Sequence, residues 1–196
     1  MEFKIFLGLL RKRRWSVLII FAITIVSTLV LTRLQTPIYS SSATYVVSPS
    51  SEVLNETGFL SGLSVLGGQP TVVNTYANIA TSASIKREAS DSLGLSPAQA
   101  RKLSVSSRVL SGTNIIEITV EGEDPLLVQV LTTRVGESTI DFIKTLNGVY
   151  DLKLMDGAES PDKPIRPNIR LNLVLGAALG LILGVGIAFL LGLSEY

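Results

Sequence analysis

The sequence predicts an α+β fold: one mixed domain carried between two membrane helices. Three observations predict it. Residues 15–32, "WSVLIIFAITIVSTLVLT", and residues 171–193 are long apolar runs without a charge, each near the length of about 20 residues that a bilayer-spanning helix needs. The segment between them is mostly polar and long enough for one small domain. Within it, stretches of period two alternate with stretches of helical period in the order β-α-β-β-α-β. That order is the split βαβ or ferredoxin-like pattern, in which the first and last strands are expected as antiparallel neighbours at the centre of the sheet.

The expected organisation is a basic cytoplasmic N-terminus at 1–14, a first transmembrane helix at 15–33, an extracytoplasmic α/β domain at 34–160, a proline-rich connector at 161–170, a second transmembrane helix at 171–193 and a cytoplasmic tail at 194–196. Lys4, Arg11, Lys12, Arg13 and Arg14 precede the first span and only Arg33 follows closely. This bias places the N-terminus in the cytoplasm and the domain outside, in the periplasm or extracellular space. Lys163, Arg166 and Arg170 before the second span pull the other way, but the first helix usually dominates and long domains translocate largely regardless of charge. The expected location is the plasma (inner) membrane, with two passes and both termini inside. A cleaved signal peptide is the competing reading of the first run, against which stand its long apolar core and the lack of an A-x-A site after it.

Inside the domain, "IYSSSATYVV" reads as a first strand with Tyr39, Ser41, Ala43, Tyr45 and Val47 on one face. The Ser- and Gly-rich segment after it reads as a loop with a short helix, carrying Phe59, Leu60, Leu63, Val65 and Leu66. Over 71–93 the period becomes helical, with Val72, Tyr76, Ile79, Ala80 and Ala83 on one stripe and Gly94 as the stop. "SPAQ" is a capping box: Ser96 caps, Pro97 takes the first helical position and Gln99 reaches back. Strands follow at 103–110 and 115–121, joined by the turn "SGTN", with Ile116, Ile118 and Val120 facing inward. Asp124 and Pro125 open a second long helix whose expected stripe is Leu127, Leu131, Val135, Phe142 and Leu146, stopped by Asn147-Gly148. "VYDLKLMD" closes the domain as a strand with Tyr150, Leu152 and Leu154 on one face.

Composition limits the chemistry. The chain has 196 residues, no Cys, no His and a net charge of +1. A thiol nucleophile, a zinc-finger spacing and a His base are therefore excluded, and no basic field for nucleic acid exists. Phosphate-loop, zincin and serine-hydrolase motifs are absent from the sequence. No catalytic, metal or cofactor residue is expected. Glu121, Glu123 and Asp124 cluster at a strand-to-helix turn, where a solvated turn and a helix cap explain them better than a metal. Asn55-Glu56-Thr57 matches a glycosylation sequon, which matters only in a host that glycosylates.

Two constellations remain. Gly176, Gly180, Gly184, Ala188 and Gly192 recur every fourth residue in the second span. Such a stripe lies on one helix face and lets another backbone approach closely. Its partner is the first span, another copy or a different protein, and the run is a candidate protein–protein surface. Pro161, Pro164 and Pro167 lie three apart just before it. Prolines at that spacing line one edge of a polyproline II rod, so the segment is either a stiff strut for the domain or a plain linker.

Taken in order, these features resemble the polysaccharide chain-length determinant (Wzz-type) family, the polysaccharide co-polymerases. The resemblance rests on "RKRRW" before the first span, "GLSVLGG", "YANIATSASIKREASDSLGLS", "TNIIEITVEGEDP" and, most specifically, "PDKPIRPN" leading into "LNLVLGAALGLILGVGIAFL". It implies a non-enzymatic, homo-oligomeric membrane regulator of the polymerisation, chain length or export of capsule, exopolysaccharide or O-antigen. The implied partners are other copies, a polysaccharide polymerase or exporter, a separate cytoplasmic tyrosine kinase and membrane lipid. The sequence departs from the family in its short outer segment and in ending at "LSEY" without a kinase domain. It is therefore similar to the short adaptor form, with Tyr196 an ordinary terminal residue rather than a phosphosite. The competing readings are a membrane-anchored ligand-binding or sensory module, and a scaffold for another membrane complex.

Overall fold

The computed structural model describes residues 13–50, 69–146 and 149–193. The chain divides into two compact units, residues 1–37 with 166–196, and residues 38–165. The basic residues Lys4, Arg11 and Lys12, the loop with Phe59 to Leu66, the sequon, the Asn147-Gly148 stop and Tyr196 lie outside the described residues.

The first unit is a pair of helices, α1 (Arg14–Leu34) and α6 (Ile169–Leu193). Both are long and apolar enough to span a bilayer. At the start of α6, Asn168 accepts the Leu171 N–H at 3.2 Å.

The second unit contains β1 (Tyr39–Pro49), α2 (Gln69–Ala80), α3 (Ala83–Ser92), α4 (Pro97–Arg101), β2 (Ser104–Val109), β3 (Ile115–Gly122), α5 (Pro125–Thr145) and β4 (Tyr150–Asp156). The four strands form one antiparallel sheet in the order β2-β3-β1-β4. β1 and β4 are antiparallel neighbours as expected, but only β1 is interior; β4 is an edge strand. The β1–β4 register shifts between Thr44 and Tyr45. Asp156 occupies the irregularity, taking the Thr44 hydroxyl proton at 2.7 Å while its own N–H donates to that hydroxyl at 3.2 Å.

One face of the sheet is covered by α2 and α5. Ala43, Tyr45 and Val47 of β1 and Ile116, Ile118 and Val120 of β3 point into that layer and are buried. Strict alternation makes this outcome readable from sequence, because a one-residue slip would send the whole apolar set to the other face. That opposite face is polar and partly exposed. There the Ser42 and Thr119 hydroxyls meet at 2.8 Å and Arg108 pairs with Glu117.

The helix caps match the sequence patterns. Ser96 and Gln99 form the reciprocal capping box. Asp124 accepts the Leu126 and Leu127 N–H groups at 2.9 and 3.2 Å, and Glu123 pairs with Lys102. Gly94, at φ +65°, ends α3 with the Leu95 N–H on Ser90 O and the Gly94 N–H on Asp91 O. This is a Schellman stop, which needs a left-handed residue at that position.

Several expectations are corrected. The helix expected at 71–93 is two helices. Ser82 adopts an extended conformation and caps α3, taking the Ile85 N–H. A serine at a cap competes with helix continuation because its side chain replaces an intrahelical bond. Ala83 is consequently exposed, while Val73 and Ala77 join Tyr76 and Ala80 in the core. In α5, Leu131 and Val135 are buried, but Leu127 is only half-buried, and Phe142 and Leu146 are 41% and 51% exposed. Thr132, Gly136, Thr139 and Ile143 complete the buried stripe instead. The threonines enter the core because each hydroxyl donates to the carbonyl four residues back, Val128 O and Val135 O, both at 2.6 Å. Leu154 is exposed, unlike Tyr150 and Leu152, because it lies beyond the covered part of the edge strand.

Candidate functional site

The small-residue stripe of α6 meets α1. Gly176, Gly180, Gly184 and Ala188 are the buried positions among the described side chains of α6. A Cβ placed on Gly176 would overlap the Thr28 side chain. One on Gly180 would lie 3.1 Å from Thr24 Cβ and 3.3 Å from Phe21 Cδ2, and one on Gly184 would lie 3.1 Å from Val17 Cγ1 and 3.2 Å from Val17 O. Later positions of α6 meet earlier positions of α1, so the helices form an antiparallel hairpin. Gly192 lies in α6, with its surroundings outside the described residues. The glycines thus serve contact within the chain. Of the three partners that the sequence leaves open, the first span is the one that Gly176, Gly180 and Gly184 meet in this chain.

The facing stripe on α1 is Val17, Phe21, Thr24, Thr28 and Thr32. Thr24 and Thr28 donate to Ile20 O and Thr24 O, each at 2.8 Å, so neither hydroxyl needs water. Near the far end of the seam, the Asn172 amide donates to Thr32 Oγ1 at 3.2 Å, with Thr32 4% exposed. A polar pair at that depth is satisfied only while the helices stay together. Sequence reasoning misses the threonines. Their spacing of four was the available signal, hidden by counting threonine as polar.

The connector is tied to the domain. After β4, Ala158 O accepts the Gln129 amide at 3.1 Å and Glu159 O accepts the Ser41 hydroxyl at 2.7 Å. Ile165 N–H then donates to Ile38 O at 2.8 Å. The backbone bends at Asp162, Lys163 and Ile165, so Pro161 and Pro164 do not belong to one straight rod. Arg166–Pro167 is a cis bond. Side-chain and backbone bonds hold this bent stretch to the domain, and the choice between a strut and a plain linker stays open.

The strongest burial effects on titration in the domain fall on tyrosines of the core. Tyr45 is pushed up to about 12, first by burial and then by Glu137. Tyr76 is raised by burial and by Asp151 and Tyr150, and its hydroxyl donates to Tyr150 O at 2.9 Å. These groups sit against the sheet as packing elements; Tyr45 fills the space beside Gly136, where a Cβ would overlap its ring.

Comparison with known proteins follows the same lines. The family model Wzz, chain length determinant protein, matches residues 1–93. The chain is 27% identical over 164 residues to the capsular polysaccharide biosynthesis protein CpsC of Streptococcus agalactiae, covering 82% of this chain and 68% of that one. It is 27% identical over 161 residues to the probable capsular polysaccharide biosynthesis protein YwqC of Bacillus subtilis (strain 168), covering 80% of this chain and 62% of that one. A full-length bacterial polysaccharide co-polymerase shares the fold at a TM-score of 0.58 and 9% identity, over 97% of each chain. The chain's similarity to the Wzz-type chain-length determinants, the polysaccharide co-polymerases, is thus carried by its N-terminal 93 residues, by its capsular relatives and by its fold.

Proposed function

We propose that this chain is a non-enzymatic membrane regulator of surface polysaccharide polymerisation, chain length or export. The observation that carries the reading is the similarity to capsular polysaccharide biosynthesis proteins over 82% of the chain, joined to a fold shared with a co-polymerase from end to end. In this reading the chain acts as a homo-oligomer beside a polysaccharide polymerase or exporter, with a separate cytoplasmic tyrosine kinase as a further partner. Both termini are cytoplasmic and the α/β unit lies outside the inner membrane, as the Lys and Arg bias around α1 supports. The domain is a ferredoxin-like split βαβ; the strand order β2-β3-β1-β4 with every pair antiparallel supports that assignment. The α1–α6 seam holds the two spans together through Gly176, Gly180, Gly184 and Ala188, supported by their close approach and burial; Gly192 continues the same spacing, and Pro161, Pro164 and Pro167 form the connector between the domain and α6 in sequence.

The test is deletion of the gene followed by electrophoresis of the surface polymer. The expected result is a changed length distribution or yield, restored by the chain in trans. Unchanged polymer in the deletion strain defeats the reading.

A further inference from the structure

Beside the Gly94 turn, residues of α3 and α4 line an open pocket of about 370 Å³. That volume falls in the range of small-molecule pockets and is larger than one inorganic ion needs. Lys86 and Arg87 of α3 and Arg101 of α4 line it, against one carboxylate, Asp91. Lys86 is tethered, its ammonium donating to Leu103 O. Arg87 and Arg101 form no ion pair among the described residues, whereas Lys102, Arg108, Arg134 and Lys144 of the same domain each pair with a carboxylate. Leu95 and Pro97 supply an apolar wall.

We propose that this cavity binds an acidic sugar unit, one whose ring carries a carboxylate or a phosphate. The proposal rests on the polysaccharide reading above. A guanidinium offers a planar fork of donors that matches either oxyanion. The apolar wall covers the C–H face of a ring. Asp91 repels a bare anion but accepts hydrogen bonds from sugar hydroxyls.

The test is calorimetric titration of the full chain in detergent with trigalacturonate, glucose 1-phosphate, inorganic phosphate and maltotriose. The acidic sugars are expected to bind at least about tenfold more tightly than maltotriose and than inorganic phosphate, a difference of about 1.4 kcal/mol. A preference for trigalacturonate assigns the oxyanion to a uronate, and a preference for glucose 1-phosphate assigns it to a phosphate. R87Q/R101Q should weaken acidic-sugar binding at least about tenfold, and R87K/R101K should retain part of it. Arg87 and Arg101 are exposed, and circular dichroism verifies that both variants fold. Equal binding of maltotriose or of inorganic phosphate, an unaffected R87Q/R101Q chain, or no titration by either acidic sugar overturns the proposal. A chain that binds no acidic sugar but still sets polymer length overturns this site alone. A chain that binds acidic sugars through these arginines while its deletion leaves the polymer unchanged overturns the regulatory reading alone.

Discussion

Gly136 sits in the middle of α5, where a glycine costs about 1 kcal/mol relative to alanine. Its reason is Tyr45, whose ring occupies the place a Cβ would take. Gly136→Ala, normally a helix-favouring change, should therefore destabilise the chain by about 1–3 kcal/mol through overpacking, read as a lower Tm. Tyr45 also sets a pH dependence. Burial and Glu137 raise its hydroxyl from 10.0 to about 12. Below pH 10 the folded and unfolded chains both hold that proton, and the contribution is fully present. Between pH 10 and 12 the unfolded chain ionises first, so stability falls as pH rises. Tyr45→Phe should flatten that fall, measured by denaturant titration across the window. The same residues show what sequence reveals. Simple alternation places Tyr45 on the inward face. Thr132, Gly136 and Thr139 escape such a reading, because nothing local says that a hydroxyl will satisfy itself on the preceding turn or that a gap will hold a tyrosine from another element.

The helical hairpin brings Thr32 and Asn172 within hydrogen-bonding distance, at 3.2 Å. The sequence contains no Cys, so a T32C/N172C chain reports only the engineered pair. Mild oxidation should give a link within one chain, seen as a faster-migrating monomer on a gel. Covalent dimers instead would place the seam between copies. Adding Leu at Gly180 and Gly184 should abolish the link, since the nearest α1 atoms lie 3.1 Å from each added Cβ. The glycine spacing announced a close-packing face from sequence alone, but the identity of the facing helix needed three dimensions. Element boundaries set by caps, Ser96, Asp124 and Gly94, were legible to within a residue or two. The split of α2 from α3 was not, because Ser82 resembles any serine on a helix surface until its backbone is seen to be extended.

For the molecule as a whole, the connector is one of two places where the units are joined in sequence, the other being Pro37–Ile38. Pro161, Pro164 and Pro167 contribute no side-chain hydrogen bonds, while Ser41, Gln129 and the Ile165 N–H hold the strap. We predict that P161A/P164A/P167A changes the length distribution of the polymer while the domain keeps its melting temperature within a few degrees. Normal polymer from this variant would reduce the segment to a linker. The proline spacing alone leaves a stiff strut and a plain linker both open. The tethers depend on residues 29 or more positions away, which no local pattern contains.

The hairpin seam has one more effect, on what each molecule shows to the bilayer. Its stripe of Gly176, Gly180, Gly184 and Ala188 faces inward, and the outward surfaces of the two spans carry mainly Leu, Ile, Val and Phe, among them Leu18, Ile23, Val26, Leu179, Ile182 and Phe189. Hydrocarbon tails are as apolar as these side chains, so exchanging lipid for a neighbouring copy gains little there. In the proposed membrane setting, lateral contact through these side chains would be weakly discriminating, and any specific assembly of copies would draw its discrimination from the α/β domain.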